Sequence, residues 1–521
     1  MRVSHLFAAA LLAATSHSAG AQPQASAAAT ASYESTYAAL DAAGAQPQAS
    51  APATASYEST YAALDADFER WRIANHVPGM VWGVVVDGRL VHVKALGQQS
   101  IGPGAQPVSA DTGFRIASMS KAFTAYAILR LRDEGKLRLD DPVWRYIPEI
   151  KSWGADITIA DLLHHTAGFV TDDPWGDRQQ PMAEADFTRL LKAGVPRTAP
   201  RGTRFEYSNL GYAMLGRVIS NISGVNFSRH ITAKVFTPLR MTATTYENAD
   251  VPADKRTIGY RWEDNVWRAE PYMAHGAFGA MGGITTSAND YARWLGFLLS
   301  AWPARGAQDG GVTIRAMQYG GGPPQLRNRP GTLRSECKLA AVYGGGLIAG
   351  QDCALGQVLF HGGGFPGYGS HMLLIPDAGV AVIAMTNKTY TGGSGMVWDA
   401  ATRLGEAGLI RPHGLPTSLA LSAAYGNVRT IWNAGNLQNV PGGALAMNFL
   451  LDRDPAHWQS HLAERKAQAG DCDTSAAVVP TGALSGTFSW SCTKGTINGM
   501  VLLAPTKTPS IQALAFDFTS R

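Results

Sequence analysis

The sequence predicts an α/β (α+β) body in which one antiparallel sheet is built from both ends of a long segment, with helices between. Three observations carry this. Strand-like apolar runs occupy residues 79–97, a helix-rich stretch runs from about Ser118 to Leu299, and strand-like runs return between residues 343 and 387. Strands that flank a helical middle are expected to close into one layered unit. At 521 residues the chain exceeds one ordinary domain, so a second, smaller α+β domain is expected after it.

In chain order, residues 1–21 read as an export signal. Arg2 supplies the positive charge, Leu6 to Ala14 the apolar core, and Ala19-Gly20-Ala21 the small residues for cleavage. A short buried helix is the competing reading. The apolar run is about half the ~20 residues of a membrane-spanning helix, and no later run is long enough. Residues 19–42 and 43–66 are a tandem copy that differs only at Ala28 and Pro52. Two units do not make a solenoid. Residues 22–56 are therefore read as a disordered leader. The "YESTYAALDA" of the second copy, continued by "DFERWRIANH", is expected to form a helix docked on a body spanning 57–410.

Within that body, Asp87-Gly88 between apolar runs is a two-residue hairpin signal. Ser287-Ala288-Asn289-Asp290 has the capping-box pattern before an apolar run. Asp377-Ala378-Gly379 reads as a turn. Residues 301–335, rich in Gly, Pro and Arg, read as a surface loop. A break falls at Arg411 to Thr417. Beyond it, Asp454-Pro455 starts a helix, and "GTFSWSCTKGTINGMVLLAP" and "SIQALAFDF" alternate like strands. Residues 411–521 are thus expected to form a small α+β domain.

Four cysteines allow three pairings. Local pairing, Cys337 with Cys353 and Cys472 with Cys492, is the expectation. A zinc site is disfavoured because no Cys-x-x-Cys spacing is present. The formal charge is +4, from 44 basic and 40 acidic residues, and no basic run carries interleaved aromatics. That argues against a nucleic-acid partner.

Candidate chemistry begins in "FRIASMSKAFTAYAILRLRDEG". Ser118 and Lys121 share one helical face, because positions i and i+3 are neighbours. A serine hydroxyl is a weak nucleophile until a base takes its proton. A lysine amine is a base only when neutral, which burial or a nearby cation favours. A capping serine with a solvated lysine is the plain alternative. Two further stretches weigh against it: "FEYSNLGYAMLG", with Tyr207-Ser208-Asn209 in a turn before a helix, and "LFHGGGFPGYGSH", with His361-Gly362-Gly363 at the end of a strand.

In this order the three motifs resemble those of the penicillin-recognising serine hydrolases, the group of class C β-lactamases, D-alanyl-D-alanine carboxypeptidases, esterases and D-aminopeptidases. "ITIADLLHHTAGF" and "GGITTSANDYARWL" also look right, and the likeness covers roughly residues 60–410. The resemblance implies a β-lactamase/transpeptidase-like sheet flanked by helices, with an all-helical subdomain. It implies Ser118 as the acylated nucleophile, with Lys121 and Tyr207 sharing proton transfer. Asn209 would hold Lys121 and the substrate amide. The N–H groups of Ser118 and Gly364 would form the oxyanion hole, and Gly362, Gly363 and Gly364 would let substrate lie close to the strand. It implies no cofactor and no metal. The partner is a small-molecule or peptide substrate, the compartment periplasmic or extracellular, and the oligomeric state open.

One departure bears on the substrate. Many β-lactamases carry lysine where this chain has His361, and histidine is largely neutral at pH 7. That favours a D-peptidase or esterase over a β-lactamase proper. A penicillin-binding sensor with little turnover is the other alternative, and the intact Ser118, Lys121, Tyr207 and Asn209 favour catalysis over it. "HGGG" at 361–364 also matches the oxyanion loop of lipase-type hydrolases, but no Gly-x-Ser-x-Gly elbow is present. His164-His165 is read as a structural turn rather than a metal site. The C-terminal domain vaguely resembles cystatin-like or NTF2-like accessory domains.

Overall fold

The computed structural model describes residues 57–303 and 310–520. The export signal, the first repeat copy and the leader lie outside the described residues. The second copy continues into helix α1 (Glu58–Ala74), which buries Leu64 and Phe68. Asp65 on this helix accepts a hydrogen bond from the Trp82 indole at 3.0 Å, which fixes α1 against the sheet.

Strands β1 (Gly79–Val86) and β2 (Arg89–Gly97) form the expected hairpin. Its turn residues Asp87 and Gly88 have φ of 48° and 76°, the left-handed values that a two-residue turn matched to strand twist demands. The later strands are β3 (Gln325–Asn328), β4 (Lys338–Tyr343), β5 (Ile348–Asp352), β6 (Gly356–Phe365), β7 (Tyr368–Ile375) and β8 (Val380–Thr386). Together they make one eight-stranded sheet of order β2-β1-β8-β7-β6-β5-β4-β3, antiparallel throughout. Met80 lies opposite Thr386 and Val86 opposite Val380, so the two ends of the body meet inside the sheet, between its second and third strands. Both β7 and β8 are buried along their whole length, which is why they read as continuous apolar runs rather than as an alternation.

Helix α1 and the helix Ser394–Glu406 cover one face, with Phe68, Trp82, Leu373 and Trp398 in one core. On the other face the helix Ala288–Leu299 sets Tyr291 against Met372. Ser287 caps that helix through the N–H of Asp290. The reciprocal half of the predicted box is absent, because the Asp290 carboxylate accepts instead from Ala243 N–H and the Thr244 hydroxyl.

Two segments differ from the sequence reading. Residues 301–335 are not a plain loop: Val312–Ala316 is helical and β3 is an edge strand on β4. Ladder pairing outweighs the loop-like composition there. A fully buried ion pair, Arg329 Nε to Asp352 Oδ2 at 2.7 Å, ties the segment down beside it. The helix-rich middle also contains a short hairpin, Tyr260–Glu263 with Val266–Ala269, turned by Asp264 and Asn265 in left-handed conformation.

Cys337 is joined to Cys353 and Cys472 to Cys492, the local pairing. The second bridge lies in a five-stranded antiparallel sheet covered by helices Leu419–Ala434 and Pro455–Ala469. Asp454 caps the latter. These elements have a core of their own, centred on Trp432, Trp458, Trp490 and Phe516.

Candidate active site

Ser118 lies in a tight 3-10 turn, Ala117–Ser120, that runs into helix α2 (Lys121–Asp133). The helix proper begins at Lys121, three residues later than the sequence suggests. The turn is pinned to the sheet by Ser370, whose hydroxyl donates to Ile116 O at 2.8 Å. Gly363 makes that approach possible: a Cβ there would lie 2.2 Å from both Ile116 O and Ser370 Oγ. The missing Cβ at this glycine therefore makes room for the protein's own backbone. Gly362 and Gly364 do line the cavity.

Lys121 is fully buried. Its Nζ is 3.0 Å from Ser118 Oγ, 2.7 Å from Asn209 Oδ1 and 2.9 Å from Met281 O. Asn209 opens the helix Asn209–Ser223, and its Nδ2 donates to Asp173 at 3.0 Å. That second bond fixes which end of the amide faces Lys121. The Tyr207 ring lies 4.8 Å from Nζ. Ser118, Tyr207 and Asn209, spread over some ninety positions of sequence, thus meet around the Lys121 amine.

His165 holds this corner from behind. Its Nδ1 accepts the N–H of Ser208 at 3.0 Å, so the proton is on Nε2, and its ring packs 4.4 Å from that of Tyr207. Asp172 accepts from the N–H groups of Asn209 and Leu210 at 2.6 and 2.9 Å, anchoring the first turn of the helix. His361 is buried, with Nε2 2.9 Å from the Tyr343 hydroxyl.

Burial, opposed by Asp173, Asp177 and Asp172, lowers Lys121 to about 8. Burial and then the nearby Lys121 push His361 down to about 3, so it is neutral at physiological pH. Tyr207 is raised well above the usual phenol value by burial and then Asp173, although a hydrogen bond with Ser118 pulls the other way. Burial and the nearby carboxylate together keep Tyr207 protonated.

A cavity of about 450 Å³ opens over Ser118. Besides Tyr207 and His361, its walls include Asp173, Asp177 and Tyr390, none singled out by sequence. The Asp172-Asp173-Pro174 run was the available signal, an acidic helix start that brings a carboxylate to whatever the helix faces.

The profile of the Beta-lactamase family matches residues 61–407. The chain belongs to the β-lactamase family. Among relatives, "Protein flp" of Staphylococcus aureus strain COL is 28% identical over 327 residues, 60% of this chain. The match spans 61% of that protein's own length. "Penicillin-binding protein 4" of Amycolatopsis lactamdurans is 27% identical over 347 residues, 61% of this chain and 83% of that one. Two solved structures share the β-lactamase-like fold. The octameric penicillin-binding protein homologue from Pyrococcus abyssi has a TM-score of 0.57 at 19% identity, covering 88% of this chain and 96% of that one. A class C β-lactamase mutant has a TM-score of 0.55 at 18% identity, covering 69% of this chain and 100% of that one. The family is of the serine-hydrolase type.

Proposed function

We propose that this protein is an exported serine hydrolase that cleaves an amide, peptide or ester bond through an acyl-enzyme on Ser118. The observation that carries this is the hydrogen-bonding of Lys121. A neutral amine has two hydrogens and one lone pair. Asn209 Oδ1 and Met281 O can only accept, so they take the two hydrogens. The lone pair is left for the Ser118 hydroxyl at 3.0 Å.

Ser118 Oγ attacks the carbonyl carbon and its proton moves to Lys121. The C–O bond forms, and the negative charge on the carbonyl oxygen is met by the N–H groups of Ser118 and Gly364. Tyr207, a protonated phenol, donates to the leaving amine or alcohol as the C–N or C–O bond breaks, and is reprotonated by Lys121. Water then attacks the ester, and the same groups return the proton to Ser118. The neutral His361 offers no charge to a substrate carboxylate, which favours peptide, amide or ester turnover over that of β-lactams. Export agrees with the leader sequence and with two disulfides, which persist in oxidising compartments. Among the described residues, no helix is long and apolar enough to cross a membrane. Residues 411–521 are taken as an accessory domain.

The test is a panel of p-nitrophenyl acetate, alanine p-nitroanilides and nitrocefin, with the Ser118→Ala variant as control. The reading requires turnover of ester or amide above nitrocefin, and its loss in Ser118→Ala. Stable labelling by a fluorescent penicillin with no turnover of any substrate would support a penicillin-binding sensor instead.

A further inference from the structure

We propose that Asp173 and Asp177 form a cation-recognition wall, so that the substrate carries a protonated amine close to its reacting carbonyl. This deepens the hydrolase reading and rests on it.

Both carboxylates line the same cavity as Ser118. Asp173 is exposed at its mouth, whereas Asp177 is 3% exposed. A buried carboxylate is costly unless paired. Asp177 accepts one hydrogen bond, from the Tyr390 hydroxyl at 3.0 Å, and among the described residues no cation stands within ion-pairing distance of it. Burial raises the Asp177 carboxyl to about 7 against the opposing field of Lys121, whose two hydrogens are already directed to Asn209 and Met281 O. Asp177 thus faces the cavity with a pairing capacity that nothing in the protein fills.

The rest of the lining points the same way. His361 is the cavity's potential cation and is held neutral. A substrate carboxylate would meet two carboxyl groups and no fixed cation. An ammonium group would pair with Asp177 and Asp173 while its carbonyl reached Ser118. A space of about 450 Å³ holds a substrate of roughly amino-acid to dipeptide size. Tyr390 keeps Asp177 in place: its hydroxyl holds the carboxylate, and its ring lies over Gly364, where a Cβ would be 2.8 Å from Tyr390 Cδ1. Its φ of 52° is a costly backbone conformation for an aromatic residue, sustained by hydrogen bonds from its N–H to Phe365 O and Tyr368 O.

The experiment compares the D- and L-alanine p-nitroanilides, which carry a free ammonium, with their N-acetyl and N-succinyl counterparts. In the wild type, kcat/KM for the ammonium substrate is expected to exceed that for the acetylated one by about tenfold or more, with the succinylated one lowest. In Asp177→Asn the ammonium-to-acetyl ratio is expected to fall to within about threefold of unity. The ratio, taken within each protein, cancels any general loss of activity, and the wild-type preference needs no variant to fold. Calorimetric binding of the same compounds to the Ser118→Ala protein forms a second arm that needs no catalysis. Absence of all turnover would sink the hydrolase reading, and the binding arm would still judge the cation wall. Equal or inverted preference in both arms, or an unchanged ratio in Asp177→Asn, overturns the proposal.

Discussion

Asn209 turns its carbonyl oxygen to the Lys121 amine at 2.7 Å, a shorter contact than Lys121 makes to Ser118. The amide thereby takes one amine hydrogen and orients Nζ toward Ser118, since its own orientation is fixed from the other side by Asp173.

The first prediction concerns pH. Burial brings Lys121 to about 8, and the neutral amine is the base. The acylation rate should therefore rise with pH and level off above about 8. A pre-steady-state burst with p-nitrophenyl acetate measures it. Lys121→Arg keeps the charge permanently and should cost about 10²–10⁴-fold. A flat profile between pH 6 and 9 would count against Lys121 as base.

Gly363→Ala should abolish turnover although residue 363 does not line the cavity. The added Cβ would meet Ile116 O and Ser370 Oγ at 2.2 Å, and the Ser118 turn must move to admit it. A displacement near 1 Å at the chemistry can cost about 10²-fold. The thermal melt and the ester rate, read together, separate this from unfolding.

His361→Lys should raise nitrocefin hydrolysis relative to p-nitrophenyl acetate by about tenfold, because it supplies the cation that a carboxylate needs. The ratio of the two rates is the readout. An unchanged ratio would mean that the neutral histidine does not decide carboxylate preference.

Asp352→Ala should destabilise the body by about 3–5 kcal/mol, since it leaves the Arg329 guanidinium charged and buried beside Trp398. Urea unfolding reports this, and the ester rate of the folded variant should hold.

Much of the site was legible because its chemistry sits in short local patterns. Ser118 and Lys121 need only one turn of chain to face each other, and Tyr207-Ser208-Asn209 is a cap before a helix. The hairpin at Asp87-Gly88 was equally local. Asp177 and Tyr390 were not legible, since they meet only after the chain has folded across more than two hundred positions. The edge strand Gln325–Asn328 was hidden because its stability comes from β4 and not from its own residues. A strand-end glycine looks the same in sequence whether its close neighbour is a ligand or the protein itself, and at Gly363 that neighbour is Ile116 O.

The pairing of β1 with β8 also sets an order of events during synthesis. Met80 finds Thr386 only after about 300 further residues have been made, which places this domain among slow, non-local folders. Until then "GMVWGVVV" is an unpaired apolar strand with a bare edge, the kind of segment that associates with copies of itself.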